Sequence, residues 1–226
     1  MLYSKEAVQA NIRNRDGKRV FYLGKGHQLT SEARDYLTRQ RIEILPAEQA
    51  RPEQYRLLGG GYAQEKPEHM THLHGDVLVA KNHPRILFRG AIDTLEAELL
   101  LSQQEAEPAV RAQLQEALQL ARNLIRWEVL DEPVPEITLG GLSPRQLREH
   151  SHRPQDFYGK PHFMPEAGDG RCLLQINRAR CAARQAELMA VDAFTDREGI
   201  PTRPDIIQAL NRLSSFLYII MIQLKM

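Results

Sequence analysis

Residues 173–191 read LLQINRARCAARQAELMAV, and the placement of charge within this stretch decides how the chain folds. At about 100° per residue, Leu173, Ile176, Arg180, Arg184, Glu187 and Val191 fall within roughly 80° of one another on a helix. Charge therefore shares an azimuth with the most apolar residues. Ala179, Ala182, Ala183, Ala186 and Ala190 line the other side, where a short side chain lets a neighbouring backbone come close. The pattern predicts a helix enclosed on most of its circumference. Burying a guanidinium is costly unless it is paired or binds an anion. Two compensations stand open: internal carboxylates, including Glu187 at i, i+3 from Arg184, or an anionic ligand.

The stretches around it read as further helices. Downstream, RPDIIQALNRLSSFLYIIMIQLK at 203–225 places Asn211 at the azimuth of Ile207, Ser215, Tyr218 and Ile222, so a second polar group sits on an apolar face, either a satisfied core residue or a ligand. Upstream, Pro84 and Pro108 each take a first-turn position before a long segment with apolar residues at helical spacing. A proline-broken connection (131–141) leads to a short helix with Ser143 as N-cap and Pro144 at N1. A loop rich in His, Pro and Gly (150–170) then reaches the opening stretch. Four long helices and a short one predict a bundle, so the fold is mainly α.

The first part of the chain differs in character. RVFYLG (19–24) and IEIL (42–45) are β-type runs flanking TSEARDYLTRQR, where Thr30 is an N-cap, which predicts a small βαβ-like unit. Residues 47–68 contain three consecutive glycines and weak periodicity and read as a linker. The expected organisation is a small N-terminal α/β unit plus linker over 1–68 and a helical bundle over 69–226.

With 226 residues, 42% of them hydrophobic, the chain has material for a sizeable core. A formal net charge of +1 leaves no bulk electrostatic footprint for nucleic acid or an anionic membrane. Phosphate binding must then come from a few placed residues. The two cysteines, Cys172 and Cys181, lie about 180° apart on the same helix and cannot bridge there. No CxxC pair is present for zinc. The N-terminus has no hydrophobic signal core, and the longest apolar run, FLYIIMI at 216–222, is too short by itself to span a bilayer. The expectation is a soluble cytoplasmic protein that engages no membrane and no nucleic acid.

The common nucleotide and hydrolase signatures GxxxxGK[ST], GxGxxG and GxSxG are absent. Di-iron chemistry in a bundle needs a Glu-x-x-His pair from each of two helices, which the sequence does not supply. His69, His72, His74 and His83 cluster, but without a nearby thiolate or a standard metal spacing they read as a polar loop. In KNHPRILFRGAID (81–93), Lys81, Arg85 and Arg89 gather at a helix N-terminus, whose free N–H groups also favour anions. Surface charge is the other reading of that segment. Asp93, one or two turns along, could hold one of the arginines of the opening stripe in place. Two arginine-bearing helices face to face would form a triphosphate pocket.

These blocks resemble a known family. VAKNHPRILFRGAID resembles the lysine, arginine, glycine, aspartate pattern of corrinoid adenosyltransferases of the propanediol-utilisation type, RARCAARQAE their arginine-rich helix, and ALNRLSSFLYIIM their terminal asparagine helix. THLHGDVLVAK, GLSPRQLREHSHRP, MPEAGDGR, RPDIIQALNRLSS and LTSEARDYLTRQRIEI are similar to the ethanolamine-utilisation branch. The resemblance implies a homotrimer of helical bundles with active sites between subunits. It implies transfer of the 5′-deoxyadenosyl group of ATP to cobalt, with cobalamin as the other substrate and Mg²⁺ assisting. Arg180, Arg184, Glu187 and Asn211 then stand as ATP ligands, Asp93 as the group orienting Arg180, and Lys81 and Thr71 as further ATP contacts. An aromatic residue displacing the lower cobalt ligand falls at His162 or Phe163. Some members of the branch carry a His plus a cysteine cluster before the bundle. Residues 47–70 here hold no cysteine, so no structural iron or zinc is expected. A reductase, ethanolamine-pathway enzymes and a bacterial microcompartment are the implied partners. A non-catalytic module that holds ATP or adenosylcobalamin and delivers it is the alternative.

Overall fold

The computed structural model describes residues 2–15, 18–49 and 55–225 and divides into two compact units, Met1–Ala80 and Lys81–Met226. In the first, β2 (Ile12–Arg15), β3 (Lys18–Leu23) and β5 (Glu43–Pro46) form one sheet, with β3 and β5 parallel and joined through α2 (Ser31–Arg39). The βαβ expectation holds, and Thr30 caps α2 by accepting from the Ala33 amide at 3.2 Å. β1 (Leu2–Tyr3) pairs with β4 (Gln28–Leu29), and α1 (Lys5–Ala10) follows β1. Val8, Phe21, Ala33, Leu37 and Ile42 make this core.

The segment read as a linker is partly sheet. β6 (Tyr55–Leu57), β7 (Tyr62–Ala63), β8 (Met70–His74) and β9 (Val77–Ala80) form a four-stranded sheet in the order β7-β6-β9-β8. Backbone pairing, for which side-chain periodicity gives no signal in strands this short, carries the first unit past residue 68 to Ala80. Residues 50–54 of the expected linker lie outside the described residues.

The second unit is the expected bundle. Its long helices are α3 (Pro84–Gln104), α4 (Pro108–Leu130), α7 (Arg171–Ala193) and α8 (Pro204–Leu224). The short α5 (Pro144–His152) is followed by a further turn of helix, α6 (Pro154–Tyr158). Pro84, Pro108 and Pro144 occupy first-turn positions, and Ser143 forms a capping box with Gln146. Asp131 ends α4 in the left-handed conformation at φ 55°. The connection after it is tied to the start of α8. Arg203 donates to the Glu132 carbonyl at 2.7 Å, and Asp205 accepts from the Val134 amide at 2.9 Å.

α8 packs against α4, α5, α6 and α7 and is apolar on most of its surface. The run 216–222 is short, but α8 as a whole is long and apolar enough to cross a bilayer; most of it is buried inside the bundle. α7 lies between α3 and α8 and differs from the sequence expectation. Its buried residues are Leu173, Ile176, Ala179, Ala183, Ala186 and Ala190, so the alanine stripe is the core face, roughly a quarter-turn from the arginine stripe. Alanine brings the α7 backbone close to its neighbours, where a guanidinium would not fit. Arg184, Leu188 and Val191 are exposed on this chain, and the helix is not enclosed on most of its circumference.

Candidate functional site

The sequence-selected residues fall into three groups. The first spans α7 and α8. Arg180 and Glu187 are half-buried at the margin of the α7 core face, and Arg184 is exposed. Asn211 on α8 donates from Nδ2 to Oε1 of Glu187 at 2.8 Å and accepts at Oδ1 from Nη1 of Arg212 at 2.6 Å. Both ends of its amide are engaged, which fixes its orientation. The Arg180 guanidinium stands over the Tyr218 ring, 5.1 Å from the centroid. Among the described residues, neither Arg180 nor Arg184 forms an ion pair with a carboxylate. Of the two compensations left open by the sequence, internal carboxylates do not operate for these two arginines.

They do operate for Arg85 and Arg89, for which the sequence left open an anion-binding N-terminus or surface charge. Glu128 on α4 is fully buried. Arg85 donates from Nε to its Oε1 and from Nη2 to its backbone carbonyl at 3.0 Å, and Arg89 donates from Nε to Oε2 at 2.7 Å. A carboxylate inside a bundle demands this neutralisation, and both cations are drawn inward to supply it. The sequence does place Glu128 at the azimuth of Leu114, Ala117, Ala121 and Leu124 on the buried face of α4, but does not tell which cations meet it there. Asp93 lies exposed on α3, and no ion pair joins it to Arg180 among the described residues. Lys81 is exposed at the start of the second unit. Thr71 belongs to the first unit, on β8 opposite Val79.

The third group is the loop before α7. His162 places Nδ1 3.1 Å from the Tyr218 hydroxyl and Nε2 3.1 Å from the His152 carbonyl. A carbonyl only accepts, so Nε2 carries the proton and the Nδ1 lone pair takes the Tyr218 O–H. The same hydroxyl accepts from the Phe163 amide at 3.3 Å. Both rings lie nearly parallel to Tyr218, with centroids 5.9 Å away in each case. Lys160 donates from Nζ to the carbonyls of Ile222, Gln223 and Lys225, and Lys225 pairs with Asp169. The loop is therefore bound at both ends to the C-terminus of α8. Sequence reasoning noted the azimuth of Tyr218 and missed its role as the hub that joins the loop to Arg180.

No group of three or more His, Cys, Asp or Glu side chains is arranged to hold a metal among the described residues. His83 caps α3, its Nδ1 accepting from the Arg85 amide at 3.2 Å, and His72 contacts the Gly75 carbonyl at 3.0 Å. One Glu-x-x-His pair does occur, Glu149 and His152 on α5, and Glu149 is taken by Arg145 at 2.8 Å.

The family model for cobalamin adenosyltransferases matches residues 61–224. The chain is 37% identical over 158 residues to the corrinoid adenosyltransferase EutT of Salmonella typhimurium strain LT2, and 36% identical over the same length to EutT of Escherichia coli strain K12. Each match covers 70% of this chain and 59% of the relative, so the chain spans well under the full length of these proteins. The matched region takes in three of the four strands of the sheet that ends the first unit, and the whole of the α7–α8 arginine and asparagine cluster. The chain belongs to the cobalamin adenosyltransferase family.

Proposed function

We propose that this chain transfers the 5′-deoxyadenosyl group of ATP to cob(I)alamin, giving adenosylcobalamin and triphosphate as coenzyme for ethanolamine catabolism. The observation that carries the reading is the pair of guanidiniums, Arg180 and Arg184, with no carboxylate partner among the described residues, beside the Glu187–Asn211 bond. In this family setting a polyphosphate is the counter-charge they lack.

The cobalt(I) electron pair attacks C5′, the Co–C bond forms, the C5′–O bond breaks, and triphosphate departs with that bonding pair. The protein then has two tasks: to align C5′ with cobalt and to stabilise charge on the leaving group. Arg180 and Arg184 face the phosphates, with Lys81 and Thr71 as further nucleotide contacts. Glu187 and Asn211 hold the nucleoside end, and Asp93 orients Arg180 from a neighbouring copy. Magnesium would enter with the nucleotide beside Arg180 and Arg184 and would supply further neutralisation of the phosphate charge when bound. A structural iron or zinc has no part in this scheme. His162 and Phe163 lie on the corrin side. Both nitrogens of His162 are already engaged, so the imidazole offers cobalt no free lone pair. This suits a residue that displaces a lower ligand without replacing it.

The working assembly is a homotrimer in the cytoplasm, served by a separate reductase and acting within or beside a microcompartment. The exposed Leu188 and Val191 on the face that carries Arg184 support association there.

Mixing the protein anaerobically with ATP and chemically reduced cobalamin should produce the adenosylcobalamin spectrum and stoichiometric triphosphate. Binding of both without triphosphate release would instead identify a carrier. Arg184→Ala should slow turnover about a hundredfold, the scale for loss of one charge-stabilising donor, with circular dichroism unchanged. A variant with wild-type rate would remove Arg184 from the site.

A further inference from the structure

A cleft of about 570 Å³ lies between residues 134–137, α5 and α8. Its α8 wall is formed by Asp205, Gln208, Ala209 and Arg212, roughly 100° around the helix from the face of Asn211. Three arginines line it, Arg145, Arg148 and Arg212, against two acids, Glu136 and Asp205. Two of these charges are already matched. Asp205 is held by Arg203 at 2.9 Å and by the Val134 amide at 2.9 Å, and Arg145 is held by Glu149 at 2.8 Å.

The remaining arginines are not matched. Arg148 makes no side-chain hydrogen bond or ion pair among the described residues, and Glu136, exposed at the rim, bridges to neither. Arg212 is 9% exposed; its Nη1 reaches Asn211, while its Nε is sealed from solvent with no partner. Burial, then the like charge of Arg148, weakens its hold on the proton, and Glu187 opposes this. Two cations thus face one cavity, and the Arg212 side chain is held by Asn211 at Nη1; a bound oxyanion completes the arrangement at the guanidinium edge that lines the cleft.

We propose that this cleft binds a small oxyanion, a phosphate or carboxylate head paired with the guanidiniums of Arg212 and Arg148. Val134, Ile137 and Ala209 leave an apolar flank for a carbon body beyond the head. The site is distinct from the Arg180 and Arg184 cluster and does not depend on the adenosyl-transfer reading. It is nonetheless connected to that cluster. Arg212 donates to Asn211, and Asn211 donates to Glu187, so an anion drawing on Arg212 acts directly on the residue that orients Asn211.

Calorimetric titration of the full chain with sodium phosphate, and separately with sodium succinate, in a zwitterionic buffer tests the site. A saturable event with at least one of the two anions is expected in the wild type and in Arg184→Ala, and Arg148→Ala should weaken it tenfold or more. Arg148 is exposed, so its replacement does not endanger the fold; Arg212→Lys, checked for an unchanged melting curve, should weaken the same event. The preferred anion distinguishes a phosphate head from a carboxylate one. Absence of saturable binding to both anions overturns the proposal, as does unchanged binding in Arg148→Ala. Loss of all binding in Arg184→Ala also overturns it, by assigning the anion to the other cluster.

Discussion

His83 shows how one ring nitrogen ties stability to pH. Its Nδ1 accepts the Arg85 amide at the start of α3, which requires that nitrogen to be unprotonated. Burial first, then the charges of Arg85 and Arg89, push its pKa below the ordinary histidine value, with Glu128 pulling the other way. The folded state therefore prefers the neutral ring. The unfolded chain takes up a proton at a higher pH than the folded one, so stability is full above about pH 6.5 and falls as pH drops toward the depressed folded value. Thermal melts across that range should show this decline, and His83→Asn, which retains a capping oxygen but does not titrate, should flatten it. A slope unchanged in His83→Asn would place the titrating group elsewhere. From sequence His83 belongs to a histidine cluster. Its capping role depends on the backbone geometry at one helix start, which spacing does not encode.

Among the elements, α3 and α4 are joined by an ionic contact inside the bundle. Glu128 holds Arg85 and Arg89 from the opposite helix, and its side chain is 0% exposed while theirs are 24% and 18% exposed. Removing the carboxylate leaves two guanidiniums facing an apolar interior. Glu128→Ala should therefore cost about 3 kcal/mol, the lower end of the range for breaking a buried ion pair because the arginines retain some water. Urea unfolding followed by circular dichroism measures it, and a loss under 1 kcal/mol, the scale of a surface pair, would show that the contact is not structural. The helix ends were readable in advance because proline at N1 and the Ser143 capping box are local. The assignment of Arg85 and Arg89 was not, because it depends on Glu128, a residue of another helix.

For the whole molecule, the proposed trimer can be tested at the exposed face of α7. Leu188 and Val191 are 62% and 42% exposed on the same side as Arg184, and covering them in an assembly would also desolvate that arginine and strengthen its pull on phosphate. Leu188→Glu should shift the protein to smaller species in sedimentation velocity and lower turnover with it, at unchanged helix content. A variant that sediments as the wild type would exclude this face from the interface.

The sequence by itself determined the βαβ start, the long helices with their proline starts and the Ser143 cap, and the shared azimuth of Arg180, Arg184 and Glu187 on one helix. Each of these is a matter of local propensity or of residues a few positions apart, which helical geometry carries directly. The tertiary structure alone decided that alanines and not arginines face the core on α7, that Arg85 and Arg89 turn inward while Arg180 and Arg184 do not, and that the His152 carbonyl sets the tautomer of His162. A helix's periodicity tells which residues share a side. Which side is buried, and which charge finds a counter-charge, depends on how closely the neighbouring helices approach and what they carry.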